Sequence, residues 1–384
     1  MMSKKRTINE YFVAPSSKKP RHSEPARVEN GPPTLTTDSQ ICNNDKTTSP
    51  LTATHHISVC YSTHASYPFP IPHLPDSLQA EISGPPARVA RVISDQPDLD
   101  LLYFEPYISR KSSRRLFEFL RSELPFYRVE YDIARGGIKT HIHTPRWTTV
   151  FGLDETACFK TCPPAASDLT LDQQPSSGTV VDAHTGKPIP VGCAAVHEAP
   201  SPGRQAGYKA IPRPIPHCLE VLRKSTEAAT GCQFNFCLVN YYASGADSIS
   251  FHSDDERFLG ALPAIASFSL GARRDFLMKH KPLLRSESGG TNTGDASNAQ
   301  LKLPLGTGDM VLMRGRTQAN WLHSVPKRTG KNEWDGGRIN ITFRRALVKG
   351  GTENYYQYNV GNGPVYKWNA AAETMKPWVQ APKQ

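Results

Sequence analysis

A histidine and an aspartate two residues apart, His252 and Asp254, have a spacing that suits metal binding. Residues i and i+2 of a β-strand face the same side, so both side chains could reach one ion. His323 is the best candidate for a third ligand from elsewhere in the same sheet. Two histidines and one carboxylate form a facial triad, which leaves coordination positions open and is typical of non-haem ferrous oxygenases. Because a His-x-Asp triplet is common by chance, a second feature has to support this interpretation.

The segment from Arg338 to Arg344 supplies that second feature. On a strand, one face carries two arginines, an amide and a hydroxyl, from Arg338, Asn340, Thr342 and Arg344. Two guanidinium groups on an inward face would be costly without an anion. A dicarboxylate such as 2-oxoglutarate would supply the anion, because guanidinium binds carboxylate in a bidentate manner. The alternative is a solvated polar face, which the apolar residues on the other side of the strand make less favourable.

The elements that must position these residues follow a mainly β pattern. Apolar spacing predicts helices over 109–124, ended by Pro125, and over 216–228, ended by Gly231. A clear β run covers 234–242, and further strands are predicted at 127–133, 147–151, 264–270, 275–279, 300–303, 310–313 and 338–343. Many short strands after a helical start predict a sandwich or jelly roll with flanking helices.

The combined motifs resemble the AlkB family of Fe(II)/2-oxoglutarate dioxygenases, and in particular its eukaryotic DNA-repair branch. The resemblance covers roughly residues 97 to 350 and includes Asn240-Tyr241-Tyr242, the run from His252 to Arg257, Pro263 to Ser267, Arg274-Asp275-Phe276 and Leu303-Pro304-Leu305. It implies an α+β, mainly β fold, a double-stranded β-helix (jelly roll) with flanking N-terminal helices.

The resemblance also assigns roles to the residues that match the family's motifs. It implies that Fe(II) is bound by His252, Asp254 and His323, which are then the catalytic centre. It implies that 2-oxoglutarate is bound by Asn240, Tyr242, Arg338 and Arg344, with Asn340 and Thr342 lining the same strand. Arg338 matches the arginine at the distal carboxylate, and Arg344 the one near the keto-acid end.

Four residues are predicted to contact the substrate base. Pro145 to Gly152 resembles the family's nucleotide-recognition lid, so Trp147 or Phe151 could stack on a damaged base. The alternative for these aromatics is a place in the core. Glu256 lies where the family has an acidic residue near the base, and Asp255 or Glu256 could favour a cationic lesion. For Asp255 the alternative is a surface ion pair.

By resemblance, the chain uses Fe(II), O2 and 2-oxoglutarate to demethylate N-alkylated bases of the 1-methyladenine or 3-methylcytosine type in DNA. Succinate, CO2 and formaldehyde would be released. Two alternatives stay open: the same chemistry on RNA or protein, and a catalytically silent adaptor bound to PCNA. The intact ligand set argues against the adaptor.

Composition and charge indicate how the chain is divided into domains and what kind of partner it binds. The 384 residues include 33 prolines, and the formal net charge is +10. This charge could serve solubility or a polyanionic partner, and phosphate contacts dominate nucleic-acid affinity. We expect a disordered tail over 1–95, because its composition offers little apolar surface to bury. We expect a dioxygenase domain over 96–350 and a C-terminal extension over 351–384.

The N-terminal tail carries two short motifs. Ile8, Tyr11 and Phe12 resemble a PCNA-interacting box, although Lys5 replaces the usual leading glutamine. The basic runs Lys4 to Arg6 and Lys18 to Arg21 indicate a nuclear localisation patch. We therefore expect a nuclear protein, and we also expect a monomer. No apolar run is long enough to predict a membrane span, and the eight cysteines indicate reduced thiols rather than a zinc site.

Overall fold

The computed structural model describes residues 60–128, 130–135, 138–160, 179–192, 207–282, 300–329, 337–360 and 363–379. The chain divides into two units, Met1–Ser58 and Val59–Gln384, and the described residues belong to the second. Its helices are α1 (Asp76–Ser83), α2 (Arg110–Glu123), α3 (His217–Thr230), α4 (Thr317–Asn320) and α5 (Glu353–Asn359). Its strands are β1 (Tyr61–Ser62), β2 (Ile71–Pro72), β3 (Arg91–Ile93), β4 (Leu101–Phe104), β5 (Phe126–Tyr127), β6 (Glu130–Arg135), β7 (Ile138–His143), β8 (Trp147–Gly152), β9 (Ala157–Phe159), β10 (Val180–Asp182), β11 (Phe236–Tyr242), β12 (Ile249–His252), β13 (Ile265–Gly271), β14 (Arg274–His280), β15 (Gln300–Leu305), β16 (Asp309–Met313), β17 (Trp321–Val325), β18 (Arg338–Arg344), β19 (Val365–Asn369) and β20 (Thr374–Pro377).

Two antiparallel sheets form the body of the fold. Within the described residues, the major sheet has ten strands in the order β20-β19-β5-β8-β11-β18-β13-β16-β4-β3. The minor sheet has four, in the order β12-β17-β14-β15. Strand β18 lies at the centre of the major sheet and pairs with β11 on one side and β13 on the other. The prediction of a mainly β jelly roll is confirmed.

The alternation of side chains along the central strands creates three layers. On one face of β11 and β18, Val239 and Ile341 pack with the helices in one apolar cluster. On the other face, Phe236 and Leu238 join Phe276 of the minor sheet in a second cluster. Because β-strand side chains alternate between faces, one strand supplies both interfaces. The polar positions of β18 therefore face the space between the two sheets.

Helices α2 and α3 cover the outer face of the major sheet, as predicted. The Ser109 hydroxyl accepts a hydrogen bond from the Ser112 amide at the start of α2, and Leu116 and Leu120 are fully buried. Helix α3 ends at Gly231, whose φ of 69° is left-handed and suits glycine. None of the helices in the described ranges is long and apolar enough to cross a membrane.

The structure corrects both predicted boundaries of the folded domain. The disordered tail does not extend to residue 95, because α1 buries Leu78 and Ile82 in the apolar cluster between the major sheet and the helices, here called the helix-side core. Residues 351–360 and 363–379 of the predicted C-terminal extension belong to the folded domain, because β19 pairs with β5 in the major sheet and Tyr355 of α5 is buried in the cluster between the sheets. Sequence reasoning missed these short segments because each buries only a few apolar side chains. The predicted insert around 286–299 lies outside the described residues.

Candidate metal centre and anion slot

The two predicted histidine ligands lie opposite each other on neighbouring strands. His252 of β12 pairs in register with His323 of β17, and their ring centroids are 4.2 Å apart. One ligand atom from each of His252, Asp254 and His323 lies within 4.8 Å of the other two. This is the separation expected for atoms that share one ion. The structure thus brings together the three residues predicted from sequence.

Asp254 reaches the centre in a different way from the one predicted. Strand β12 ends at His252 and its register shifts between Ile249 and His252, so Asp254 follows the strand rather than lying on it. Its backbone amide donates to Gln318 Oε1 at 3.0 Å, and its Oδ2 accepts from Arg344 Nη2 at 2.9 Å. The prediction of convergence holds, but its reason, the two-residue period of a strand, was wrong.

The surroundings of these side chains favour their metal-binding protonation states. Burial lowers the pKa of His252, and burial together with His252 lowers the pKa of His323 to about 3. Burial opposes ionisation of Asp254, but the neighbouring charges, chiefly that of Arg344, outweigh it and lower the pKa of that carboxyl. Neutral imidazole and ionised carboxylate are the forms that coordinate a metal. The donor set therefore fits a ferrous ion in a facial triad.

Arg338 is a fully buried cation with unused hydrogen-bond donors. Its Nη2 donates to Ser269 Oγ at 2.8 Å, and its guanidinium lies 5.3 Å from the centroid of the Tyr242 ring. Its Nε and Nη1 are buried with no hydrogen-bond partner among the described residues. Burial lowers the pKa of Arg338 to about 10, which still leaves the group charged at neutral pH. A buried charge with free donors requires an anion.

Arg344 places the second guanidinium beside the metal ligands. Burial opposes its charge, but Asp254, Tyr355 and Glu256 outweigh it and raise the pKa of Arg344. Its Nε and Nη1 are also buried and have no hydrogen-bond partner in the described part of the chain. One strand therefore offers free donors at both ends of a single inward face. These donors fit an organic dicarboxylate such as 2-oxoglutarate.

The other predicted cosubstrate residues line the same space, and several already bind protein groups. Asn340 Nδ2 donates to Ser267 Oγ and to the Phe268 carbonyl, at 2.9 and 2.7 Å. Thr342 Oγ1 donates to the Leu238 carbonyl at 3.1 Å. These two side chains keep only acceptor capacity for a ligand. Their role in binding 2-oxoglutarate stays a prediction.

Asn240 and Tyr242 lie on the site face of β11, directly opposite Asn340 and Arg338 of β18. Asn240 Oδ1 accepts a hydrogen bond from Arg146 Nε at 3.2 Å. Both residues are therefore in position to border the slot beside Arg338. Contact between either one and 2-oxoglutarate stays a prediction.

The structure overturns the predicted base-stacking role of Trp147 and Phe151. Both lie on β8 opposite Tyr241 and Cys237, whose side chains face the helices. Phe151 is fully buried and Trp147 is 9% exposed, so neither reaches the inter-sheet site. The predicted lid from Pro145 to Gly152 is for most of its length an interior strand. Apolar residues within a central strand look the same in sequence whichever face they occupy.

The two predicted acidic residues have different surroundings. The Asp255 side chain is 54% exposed and accepts from Lys281 Nζ at 2.9 Å, which matches the surface ion pair considered as its alternative. Glu256 turns inward, and its Oε1 accepts from the Tyr355 hydroxyl at 2.5 Å. Burial and the nearby Asp254 raise the pKa of Glu256. Only Glu256 is close enough to the centre to contribute to its electrostatics.

Three residues of the site carried no usable signal in the sequence. Gln318 holds the backbone of Asp254 from the short helix α4, and Arg146 contacts Asn240 from the start of β8. Tyr355 enters from α5, and its ring centroid lies 5.0 Å from the Arg344 guanidinium. All three are brought in by distant segments. Only the fold reveals their proximity.

Residues 168–344 match the family model of the 2OG-Fe(II) oxygenase superfamily. All three triad residues and the whole of β18 fall within this match. A solved oxidoreductase of the 2OG-Fe(II) oxygenase family from Burkholderia pseudomallei superposes over 71% of this chain and 91% of that chain, with a TM-score of 0.31 and 9% identity. At that score the superposition adds nothing to the fold assignment.

Curated relatives are more similar in sequence. "DNA oxidative demethylase ALKBH2" of Arabidopsis thaliana is 38% identical over 142 residues, which cover 35% of this chain and 44% of the relative. "Alpha-ketoglutarate-dependent dioxygenase alkB homolog 3" of Rattus norvegicus is 40% identical over 157 residues, covering 38% of this chain and 50% of the relative. The human "DNA oxidative demethylase ALKBH2" is 38% identical over 143 residues, covering 37% and 51%. The chain thus spans about half the length of the curated relatives it matches.

Proposed function

We propose that the chain is a 2OG-Fe(II) oxygenase of the AlkB family and that it demethylates N-alkylated bases in DNA, of the 1-methyladenine or 3-methylcytosine type. The observation that supports this most directly is the triad, whose ligand atoms lie within 4.8 Å of one another, with buried, donor-rich Arg338 and Arg344 on the facing strand. A metal centre beside an anion slot is what such an oxygenase requires.

His252, Asp254 and His323 would hold Fe(II), and Arg338 and Arg344 would bind the carboxylates of 2-oxoglutarate. When bound, Fe(II), O2 and 2-oxoglutarate supply the oxidising chemistry that converts an N-methyl group to formaldehyde and 2-oxoglutarate to succinate and CO2. Arg344 also holds Asp254 Oδ2 at 2.9 Å, which fixes the orientation of this ligand. Two aromatic rings also border the site: the Phe276 ring centroid lies 5.2 Å from that of His323, and the Tyr242 ring lies 5.3 Å from the Arg338 guanidinium.

Electrostatics favours a cationic methylated base. Glu256 places a carboxyl group beside the centre, and lesions such as 1-methyladenine carry positive charge. The net charge of +10 favours a polyanionic partner. The names of the curated relatives point to DNA rather than RNA. These three observations support alkylated DNA as the substrate, with RNA as the nearest alternative.

Nuclear localisation and PCNA binding stay proposals that depend on the N-terminal tail. Ile8, Tyr11 and Phe12 and the basic patches lie outside the described residues. Replacing both Tyr11 and Phe12 with alanine should spare catalysis and abolish binding of PCNA measured by calorimetry. Unchanged binding would discard the proposed box. The monomeric state also stays a prediction.

The test of function is formaldehyde release from a panel of oligonucleotides that carry one methylated base, in DNA and in RNA of the same sequence. We expect turnover on the DNA members that contain 1-methyladenine or 3-methylcytosine. His252→Ala should abolish it and leave the far-ultraviolet circular dichroism unchanged. Equal or greater turnover on RNA would reject the DNA preference.

The silent adaptor is tested separately by anaerobic titration with Fe(II) and 2-oxoglutarate. A ferrous centre that chelates the keto acid gives a charge-transfer absorption band in the visible range. We expect this band in the wild-type protein and not in His252→Ala. Its absence in the wild type would support the adaptor instead.

A further inference from the structure

Tyr355 lies outside the family match, yet it touches the charged groups at the candidate centre. The match ends at residue 344, and Tyr355 belongs to α5, ten residues before β19 begins at Val365. Its side chain is buried, with 4% of the residue exposed. A hydroxyl and a ring from this added helix therefore complete the wall of the site.

The Tyr355 hydroxyl fixes one oxygen of Glu256. It donates to Oε1 at 2.5 Å, whereas Oε2 of the same carboxyl is buried without a hydrogen-bond partner among the described residues. A buried carboxylate oxygen that lacks a donor costs free energy unless a ligand supplies one. The hydrogen bond from Tyr355 therefore leaves one defined oxygen of Glu256 available to a ligand.

The Tyr355 ring is itself held in place from several sides. Its centroid lies 5.2 Å from that of Phe236 and 5.9 Å from that of Phe258. The Arg344 guanidinium lies 5.0 Å from the same ring. Two edge-to-face aromatic contacts and one cation–π contact leave the ring little freedom to rotate. The hydroxyl is consequently presented to Glu256 in one direction.

Helix α5 is anchored to the major sheet independently of the site. The hydroxyl of Tyr356, the next residue, donates to the Gly152 carbonyl at 2.6 Å and accepts from the Arg213 amide at 2.9 Å. The carbonyl of Asn359 accepts a hydrogen bond from the Thr148 hydroxyl. The helix is therefore a fixed support for Tyr355. Tyr356 offers a matched tyrosine on the same helix that binds the sheet instead of the site.

We propose that Tyr355 is a positioning residue, which orients Glu256 so that its free oxygen accepts a hydrogen bond from the flipped methylated base. The proposal rests on the proposed function and deepens it. The relevant bases carry an exocyclic amino group, as in 1-methyladenine and 3-methylcytosine, and this group is the donor that Glu256 lacks. Bases with a carbonyl at that position would gain nothing from the same carboxylate.

A double-mutant cycle with Tyr355→Phe and Glu256→Gln separates positioning from a merely structural role. The affinity to measure is that of a 3-methylcytosine oligonucleotide for the full chain loaded with Mn(II) and 2-oxoglutarate in the absence of O2. Tyr355→Phe should weaken binding roughly five- to tenfold in the wild-type background. It should change nothing further in the Glu256→Gln background, because Tyr355 acts through Glu256. Additive losses in the two backgrounds would overturn the proposal.

Two controls define the specificity of the effect. Tyr355→Phe should leave the oligonucleotide affinity unchanged when the oligonucleotide contains 3-methylthymine, which presents a carbonyl. The affinity of the Mn(II)-loaded protein for 2-oxoglutarate should be the same in Tyr355→Phe and wild type, because the ring over Arg344 is retained. An equal loss with 3-methylthymine would contradict base selection through Glu256.

A crystallographic comparison decides the inference without any turnover. In the Mn(II) and 2-oxoglutarate complex of Tyr355→Phe, we expect the Glu256 carboxyl to leave the position it occupies in the wild type. An unchanged Glu256 side chain would reject the positioning role, whatever the substrate is. Failure of the wild-type protein to bind or demethylate any methylated oligonucleotide would instead reject the proposed function.

Discussion

At the scale of single residues, the most consequential feature is the buried Arg338, two of whose nitrogens have no hydrogen-bond partner in the part of the chain that the structure describes. A buried guanidinium with free N–H groups needs a ligand that accepts hydrogen bonds from them, and it is destabilising when that ligand is absent. Sequence reasoning found this residue because polar side chains alternate with apolar ones along β18. It could not find Gln318 or Tyr355, because their contacts join segments 64 and 99 positions apart.

Replacing Arg338 with glutamine should weaken 2-oxoglutarate binding by about a hundredfold, because a charge-assisted contact to a carboxylate contributes ~2–3 kcal/mol. Calorimetric titration of the Mn(II)-loaded protein measures the dissociation constant. Arg345→Gln is the matched control, since the Arg345 side chain is 49% exposed and pairs with Glu155. Equal affinities in the two variants would remove Arg338 from the anion slot.

The buried thiols offer a second prediction at this scale. Burial raises the pKa of Cys218 to about 12 and raises that of Cys237 as well, whereas Cys60 and Cys158 are exposed. Because the thiolate is the nucleophile, native protein at about pH 8 should be alkylated by iodoacetamide at Cys60 and Cys158 before Cys218 and Cys237. Peptide mass spectrometry measures the order. Rapid labelling of Cys218 or Cys237 without denaturant would contradict the helix-side core.

At the scale of elements, the sequence predicted the long strands and both large helices well, because their apolar periodicity is sustained over many residues. It misjudged β8, where a run of buried residues gave no indication of which aromatic faces the site. It also missed β9 and β10, whose three residues each are too short for a periodic signal. The errors therefore concern which face of a strand a side chain occupies and whether strands of three residues exist.

Asp309, which follows the turn between β15 and β16, should make the stability of the protein depend on pH. Asp309 Oδ2 accepts from the Tyr103 hydroxyl at 2.9 Å and from the Gly306 amide at 2.7 Å. Burial nevertheless raises the pKa of Asp309. The folded protein then holds this proton more tightly than the unfolded chain, whose aspartate has a pKa of about 3.9. The contribution of Asp309 to stability is present below that value and is lost as pH rises through the folded-state pKa.

Asp309→Asn removes this titration and keeps an acceptor oxygen. We expect the free energy of unfolding of the variant, relative to wild type, to increase as pH rises from about 4 to 6. Urea unfolding at several pH values in this range measures it. Parallel stability curves for the two proteins would show that Asp309 does not titrate differently in the folded state.

At the scale of the whole molecule, the resemblance found in the sequence ended near residue 350, but the folded unit does not. Residues from α1 enter the helix-side core, and α5 enters the inter-sheet cluster. Both helices are short, so no local sequence pattern distinguishes them from a disordered tail. The residues that they pack against are distant in the chain, and only the folded structure shows these contacts.

Two truncations test these boundaries. Removal of 1–58 should leave the unfolding transition of the remaining chain unchanged, because Val59–Gln384 forms a compact unit of its own. Removal of 351–384 deletes buried Tyr355, Tyr356 and Met375, each worth ~2–5 kcal/mol. The sum approaches the whole stability of a typical domain, about 5–15 kcal/mol, so we expect no cooperative transition. Thermal denaturation followed by circular dichroism measures the transition of each truncated protein. A cooperative transition after removal of 351–384 would contradict the integral role of α5.

The position of β18 has a consequence for its backbone dynamics. The strand is hydrogen-bonded to β11 and β13 on both sides, so its amides should exchange with deuterium only when the entire sheet opens. Helix α5 approaches the same strand from outside the sheet core, with the Tyr355 ring 5.0 Å from the Arg344 guanidinium. A substitution in α5 can therefore reshape one wall of the site while the strand that carries both arginines stays unchanged.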